Sequence, residues 1–352
     1  MRSEPNYNTI PVGQLGIIAL PGCEELANKI DNYLIRWRFQ RNSEHKDTLA
    51  FAGYEKSTYL INMDFPRFGT GEGKAALNQT VRGYDIYILC DVFNYGVTYK
   101  MYGITVPMSP DEHFANLKRA ISAIEGKAKR VSVIMPMLYE GRQHKRSSRE
   151  SLDCAMMLQE LHNMGVENFI TFDAHDPRVM NAIPLCGFES ISPAYQMIKA
   201  AVNNVDNLKI NKDNIMIISP DEGGMSRCIY YSTVLGVELG MFYKRRDFSR
   251  IVDGRNPIIA HEFLGDNVEG KDVIIVDDMI SSGESMIEVA TKLKELKAAR
   301  IYIFSAFGLF CNGFDAFDKA FQEGIIDRVF TTNLIYGTPE LLSDILCLTV
   351  IR

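Results

Sequence analysis

Residues 273–285 read Val273-Ile274-Ile275-Val276-Asp277-Asp278-Met279-Ile280-Ser281-Ser282-Gly283-Glu284-Ser285 and lead into a helix-period stretch. Four consecutive apolar residues describe a strand buried on both faces; two carboxylates stand at its end, and a small polar turn opens a helix. A helix N-terminus offers unpaired backbone N–H groups and a partial positive charge, and small residues let a phosphate reach them. Ser281, Ser282, Gly283 and Ser285 meet that need. Adjacent carboxylates at a strand end suit sugar hydroxyls, or a metal held through water. The same residues would also make an ordinary N-cap and turn.

The pattern recurs along the chain. Apolar runs stand at Tyr84–Cys90, Val131–Met135, Asn168–Phe172, Asn214–Ser219 and Arg300–Ser305, with helical stretches such as Ser151–Asn163 and Ser285–Leu296 between them. This alternation predicts an α/β fold with mainly parallel sheets. A chain of 352 residues exceeds what one core usually fills, so two domains are expected. The helices before Gly165 and Ala299 each lead into a strand associated with an acidic loop, which predicts two similar, doubly wound halves. Pro, Gly and Ser between Pro184 and Pro193 place the boundary near Ser190, giving domains 1–189 and 190–352.

Composition narrows the function. Apolar residues make up 46% and charged residues 23% of the chain, as in ordinary globular proteins. The seven cysteines are scattered and form no C-x-x-C pair, which predicts reduced thiols in the cytoplasm rather than disulfides or a zinc site. No signal peptide and no membrane-length apolar run is expected. A net charge of −6 disfavours nucleic acid as a partner. The local basic clusters Arg142–Arg146 and Lys244–Arg246 suit a small polyanion such as a nucleotide.

The 273–285 segment resembles the ribose-phosphate loop of type I phosphoribosyltransferases, V-D-D-x-x-x-T-G-x-T. Further motifs, in the same order along the chain, resemble those of the ribose-phosphate pyrophosphokinases, or phosphoribosyl pyrophosphate synthetases. Pro66–Glu72 followed by Val81–Ile86 is similar to that family's R-F-S-D-G-E and V-R-G-x-D, which implies that Phe68 stacks on adenine and Glu72 reads its edge from a neighbouring subunit. Pro136–Arg146 resembles the nucleotide loop, implying that Arg142, Gln143 and Lys145 meet the triphosphate. Thr171–Asp176 resembles V-D-L-H, implying that Asp173 and His175 lie beside Mg²⁺ and the ATP phosphates. Ser219–Gly224 resembles S-P-D-x-G-G, implying that Asp221, Gly223 and Gly224 face the ribose, its new diphosphate and the metal. Lys244–Arg246 resembles the K-R-R that opens the catalytic loop, where Lys244 and Arg246 would neutralise transition-state charge together with Arg142 and His175. Asp277 and Asp278 would face the ribose 2- and 3-hydroxyls, and Ser281–Ser285 the 5-phosphate.

The resemblance runs from about Leu15 to Leu334, interrupted near Arg38–Phe65 and Phe93–His113. Departures stand at Thr70, His144, Lys145, Arg178, Ser282 and Glu284, where the family has Asp, Asp, Arg, Gln, Thr and no carboxylate. The implied activity is transfer of the β,γ-diphosphate of Mg·ATP to ribose 5-phosphate by a cytoplasmic homo-oligomer, a dimer or larger. Glu284 inside the phosphate loop raises a larger acceptor such as ADP-ribose as an alternative. The motifs are also compatible with a phosphoribosyltransferase and with a non-catalytic regulatory homologue.

Overall fold

The apolar runs build two separate sheets. The computed structural model describes residues 12–43, 56–246, 258–338 and 347–351. The chain divides into two compact units, Met1–Ile191 and Ser192–Arg352.

The first unit comprises β1 (Gln14–Ala19), α1 (Glu24–Ser43), β2 (Met63–Asp64), β3 (Ala76–Leu77), β4 (Tyr84–Leu89), β5 (Thr98–Met101), β6 (Ile104–Pro107), α2 (Pro110–Ile124), β7 (Arg130–Ile134), α3 (Asp153–Asn163), β8 (Asn168–Phe172) and β9 (Gly187–Ile191). Its main sheet runs β1-β4-β7-β8-β9, all parallel. Alternate residues of a strand face opposite ways. Accordingly Ile17 and Leu89 meet Cys23 and Ala27 of the α1 side, while Ile18, Ile86 and Val133 meet Leu117 of α2 and Leu158 of α3. Each such buried side chain contributes about 1.5–3 kcal/mol relative to exposure. β2–β3 and β5–β6 are short antiparallel hairpins beside this sheet.

Pro, Gly and Ser near residue 190 read as linker, yet Gly187–Ile191 pairs along β8 as an edge strand, and the break follows Ile191. Mostly exposed edge strands need no apolar run.

The second unit comprises α4 (Ala194–Asn204), β10 (Ile215–Ser219), α5 (Met225–Leu235), β11 (Glu238–Arg246), β12 (Ile258–Leu264), β13 (Asp272–Ile280), α6 (Glu284–Glu295), β14 (Ile301–Gly308), α7 (Asp315–Gln322), β15 (Arg328–Thr332) and β16 (Leu348–Ile351). The sheet runs β12-β11-β10-β13-β14-β15-β16, with only β12 antiparallel to its neighbour. Ile217, Ile274 and Phe304 pack on the α4 and α5 side, and Ile218, Ile275 and Ile303 on the α6 and α7 side. The chain leaves β10 in one direction and reaches β13 on its other flank. That reversal is the switch point at which open α/β sheets bind ligands, outside the carboxyl ends of the strands.

The two units share a further device. Arg130 makes a two-pronged contact with Asp85, at 2.8 and 2.5 Å, across β4 and β7. Arg300 does the same with Asp272, at 2.9 and 2.6 Å, where β13 meets β14. Both pairs stand at the starts of their strands, the opposite end from the acidic loops.

Candidate active site

At the switch point of the second unit, Ile218 of β10 lies opposite Ile275 of β13, so the residues after each strand emerge side by side. After β10 the chain makes a tight turn held from within. Asp221 Oδ1 accepts the N–H of Gly223 at 2.9 Å and of Gly224 at 3.3 Å, and Ser219 Oγ donates to the Asp221 carbonyl at 2.7 Å. A side chain at Gly224 would stand 3.0 Å from Ser219 Oγ and 3.6 Å from the Val276 carbonyl. Glycine is what lets α5 start so close to both strands.

Near the end of β13 stand Asp277 and Asp278, with side chains 24% and 3% exposed. Burial and the adjoining Asp278 push the Asp277 carboxyl well above its ordinary range, against the opposing pull of Arg227. Arg227, in the first turn of α5, brings Nη1 to 3.7 Å from Oδ1 of each carboxylate. The Asp278 N–H donates to Asp277 Oδ1 at 2.9 Å, and Ser305 Oγ donates to the Asp278 carbonyl at 3.3 Å.

Ser281, Ser282 and Gly283 then turn into α6. Gly283 has φ +84°, and a Cβ there would stand 2.2 Å from the Phe317 ring, so both backbone and packing demand glycine. Among the described residues, the backbone N–H groups of Ser282 to Ser285 have no protein acceptor. That is an open anion cradle at a helix N-terminus. Glu284 and Ser285 are exposed. Cys311, also exposed, donates its N–H to the Ser281 carbonyl at 2.9 Å.

Lys244 and Arg246 end β11, whose Met241 lies opposite Ser219, and their backbones pair with His261 and Ile258 of β12. Their side chains, and the loop expected beyond them, lie outside the described residues.

In the first unit, the segment resembling the adenine motif is a tight turn. Phe68 N–H donates to the Glu72 carbonyl at 2.8 Å, and Thr70 Oγ1 donates to Glu72 Oε2 at 2.8 Å. The hydroxyl of Thr70, found where the family has a carboxylate, thus orients Glu72. Phe68 is 54% exposed, available for stacking. The interrupting segment forms the β5–β6 hairpin and braces this turn. Arg67 lies 4.6 Å over the Tyr99 ring and donates to the Gly71 carbonyl at 2.9 Å, while the Tyr102 N–H donates to the Gly69 carbonyl at 2.8 Å.

The first turn of α2, fixed by the Ser109–Glu112 capping box, connects this turn to the nucleotide loop. Glu112 pairs with Arg67 at 3.7 Å and bonds Tyr99, and Asp111 accepts from Tyr139 Oη at 2.5 Å. In that loop Arg142, Lys145 and Arg146 are exposed. Gln143 instead bonds the Ser151 carbonyl at 3.0 Å, which makes it a brace of the loop.

Asp173 follows β8 with φ +38°, a conformation uncommon outside glycine, held by N–H donation to the Ile191 carbonyl at 2.9 Å. His175 is exposed and stands 5.2 Å, ring to ring, from His144. Among the described residues, no three His, Cys, Asp or Glu side chains converge as a metal cluster. Mg²⁺ keeps much of its water and takes one or two carboxylates together with substrate phosphates, so Asp173 and Asp221, acting singly, fit its chemistry.

Sequence reasoning missed Arg227, Asp176 and the α2 pair Asp111 and Glu112. The position of Arg227, three residues past a Gly-Gly turn at a helix start, is a signal that would have drawn attention to it.

A doubly wound sheet with an acidic pair and an open anion cradle at its switch point defines a phosphoribosyltransferase-type domain. The model for a phosphoribosyl transferase domain matches residues 188–308, and that for the N-terminal domain of ribose phosphate pyrophosphokinase matches residues 15–165. Proteins named ribose-phosphate pyrophosphokinase are similar over most of the chain. That of Vibrio parahaemolyticus is 27% identical over 280 residues, covering 78% of this chain and 79% of its own. That of Ralstonia nicotianae is 27% identical over 274 residues, covering 76% of each. The phosphoribosylpyrophosphate synthetase of Mycobacterium smegmatis shares the fold, with a TM-score of 0.71 at 19% identity over 96% of this chain and 94% of that one. The chain belongs to the ribose-phosphate pyrophosphokinase family.

Proposed function

We propose that this protein transfers the β,γ-diphosphate of ATP to the anomeric hydroxyl of ribose 5-phosphate, giving phosphoribosyl pyrophosphate and AMP. The observation that carries the acceptor half is the switch point, where a compensated acidic pair stands next to an anion cradle of free N–H groups. Two carboxylates suit vicinal hydroxyls as paired acceptors, and the cradle suits a terminal phosphate.

The anomeric oxygen attacks the β-phosphorus in line. The new O–P bond forms as the α,β-bridging bond breaks, AMP leaves with the bridging electron pair, and the hydroxyl proton passes to water. Such transfer asks chiefly for alignment and charge neutralisation. Arg142, Lys145 and His175 bind the nucleotide's phosphates, with Phe68 and Glu72 on its base. Lys244 and Arg246 neutralise charge on the transferring group. Asp221, Gly223 and Gly224 form the turn that receives the diphosphate. Magnesium would supply charge neutralisation to the phosphates; Asp173, with His175 on the water shell, and Asp221 are the residues that would each hold such an ion together with substrate phosphates.

The acceptor is ribose 5-phosphate rather than ADP-ribose. Glu284 is exposed in the first turn of α6, where a carboxylate complements the helix dipole. The relatives named ribose-phosphate pyrophosphokinase favour catalysis over a regulatory role. No helix among the described residues is long and apolar enough to cross a membrane. We place the protein in the cytoplasm as a homo-oligomer, an assembly checked by light scattering of the purified chain. Initial rates of AMP release with ribose 5-phosphate, ADP-ribose and no acceptor test the assignment. Ribose 5-phosphate should give the highest kcat/KM, and the Glu284→Gln variant should keep that order. A preference for ADP-ribose would overturn the acceptor.

A further inference from the structure

We propose that Arg227 is a positioning residue for the acceptor: its guanidinium holds the Asp277 and Asp278 carboxylates in the spacing from which both accept ribose hydroxyls. This rests on the acceptor reading above and adds a residue to it.

Two neighbouring carboxylates, one of them almost wholly buried, repel each other and resist carrying two charges together. Arg227 answers both at once, with Nη1 3.7 Å from Oδ1 of each. A planar guanidinium can serve two acceptors from one position, where an ammonium is a point charge. At 3.7 Å the Nη1 contact with each carboxylate is that of an ion pair, longer than a hydrogen bond.

The arginine is fixed in place by its helix. Its side chain is only 11% exposed. The next residue, Cys228, directs Sγ to the Val276 carbonyl at 3.5 Å and the Ile218 carbonyl at 3.7 Å, pinning α5 to β13 and β10. Three residues earlier, Gly224 closes the Asp221 turn against Ser219. Arg227 therefore links the turn after β10 to the acidic pair near the end of β13 across the switch point.

The test is steady-state kinetics on the full-length protein carrying Arg227→Gln, Arg227→Lys, Asp278→Asn or Arg227→Gln with Asp278→Asn. Arg227→Gln should raise the KM for ribose 5-phosphate by about tenfold to a hundredfold, in the upper part of the range of couplings between contacting groups. The KM for ATP should stay within about threefold, since the nucleotide is bound by other groups. Arg227→Lys should recover part of the loss, because charge returns without the planar fork. In the Asp278→Asn background, Arg227→Gln should cost less than about threefold, the mark of two residues acting through each other. Should Arg227→Gln fail to fold, Arg227→Lys decides alone, with a several-fold rise in acceptor KM expected. An acceptor KM unchanged in whichever variant folds, or effects that multiply fully in the double variant, would overturn the proposal. A parent protein that releases no AMP with ribose 5-phosphate fails the acceptor reading itself, and the role of Arg227 falls with it; an active parent with indifferent Arg227 variants fails only the role.

Discussion

His144 Nε2 lies 3.5 Å from Asp176 Oδ2, and the same carboxylate oxygen accepts from Arg178 Nη2 at 2.5 Å. His144 and Arg178 are both departures from the pattern the chain resembles, and one carboxylate ties them together. The nucleotide loop after β7 and the turn after β8 are thereby joined through Asp176.

Asp176→Asn should loosen this joint and lower stability near neutral pH, with a smaller effect in acid. The Arg178 guanidinium holds the Asp176 carboxyl down at about 2, below its ordinary 3.8. A depressed carboxyl stabilises the fold fully above its unfolded value, and that contribution shrinks as pH falls from about 4 towards 2. Thermal melts of the parent and the variant across pH 5 to 3 should converge as the pH drops. A constant gap would show that the pair contributes nothing through charge.

Gly283→Ala should destabilise the second unit by at least ~2 kcal/mol, since it combines a ring clash with a left-handed backbone. Adding Phe317→Leu should restore only part of the loss, because φ +84° remains unfavourable for alanine. Denaturant midpoints of the single and double variants check this; full restoration would mean that the clash alone mattered.

Arg130→Met should cost about 1–3 kcal/mol by leaving Asp85, 11% exposed, without its two-pronged partner. It stands at the strand starts, away from the loops assigned to substrates, so kcat should be unchanged. A stable variant with reduced kcat would contradict a purely structural role.

Lys244→Ala should lower kcat by roughly a hundredfold or more while ATP binding stays near normal, since a cation acting on developing charge matters most in the transition state. Near-normal turnover would remove Lys244 from the mechanism.

The strands buried on both faces were legible from sequence because a short continuous apolar run bounded by turn residues fits a strand covered by helices on each side. Asn168–Phe172 emerges with the bounds read for it, and Tyr84–Cys90 and Arg300–Ser305 shift only at their ends. The exposed edge strand β9 and the β5–β6 hairpin were not legible, because neither concentrates apolar residues. Within the site, motifs local in sequence were readable, including the acidic pair and the Gly-Gly turn. Contacts formed across the sheet were not: Arg227 meets carboxylates 50 and 51 positions away, a relation that exists only once β10 and β13 are neighbours.

Phosphorus NMR of ATP incubated with the protein, Mg²⁺ and ribose 5-phosphate reads out which group is transferred and where it goes. AMP and a diphosphate attached to the anomeric carbon should appear in equal amounts, with neither formed when ribose 5-phosphate is left out. Release of free phosphate and ADP, or AMP formed equally without the acceptor, would contradict the proposed transfer.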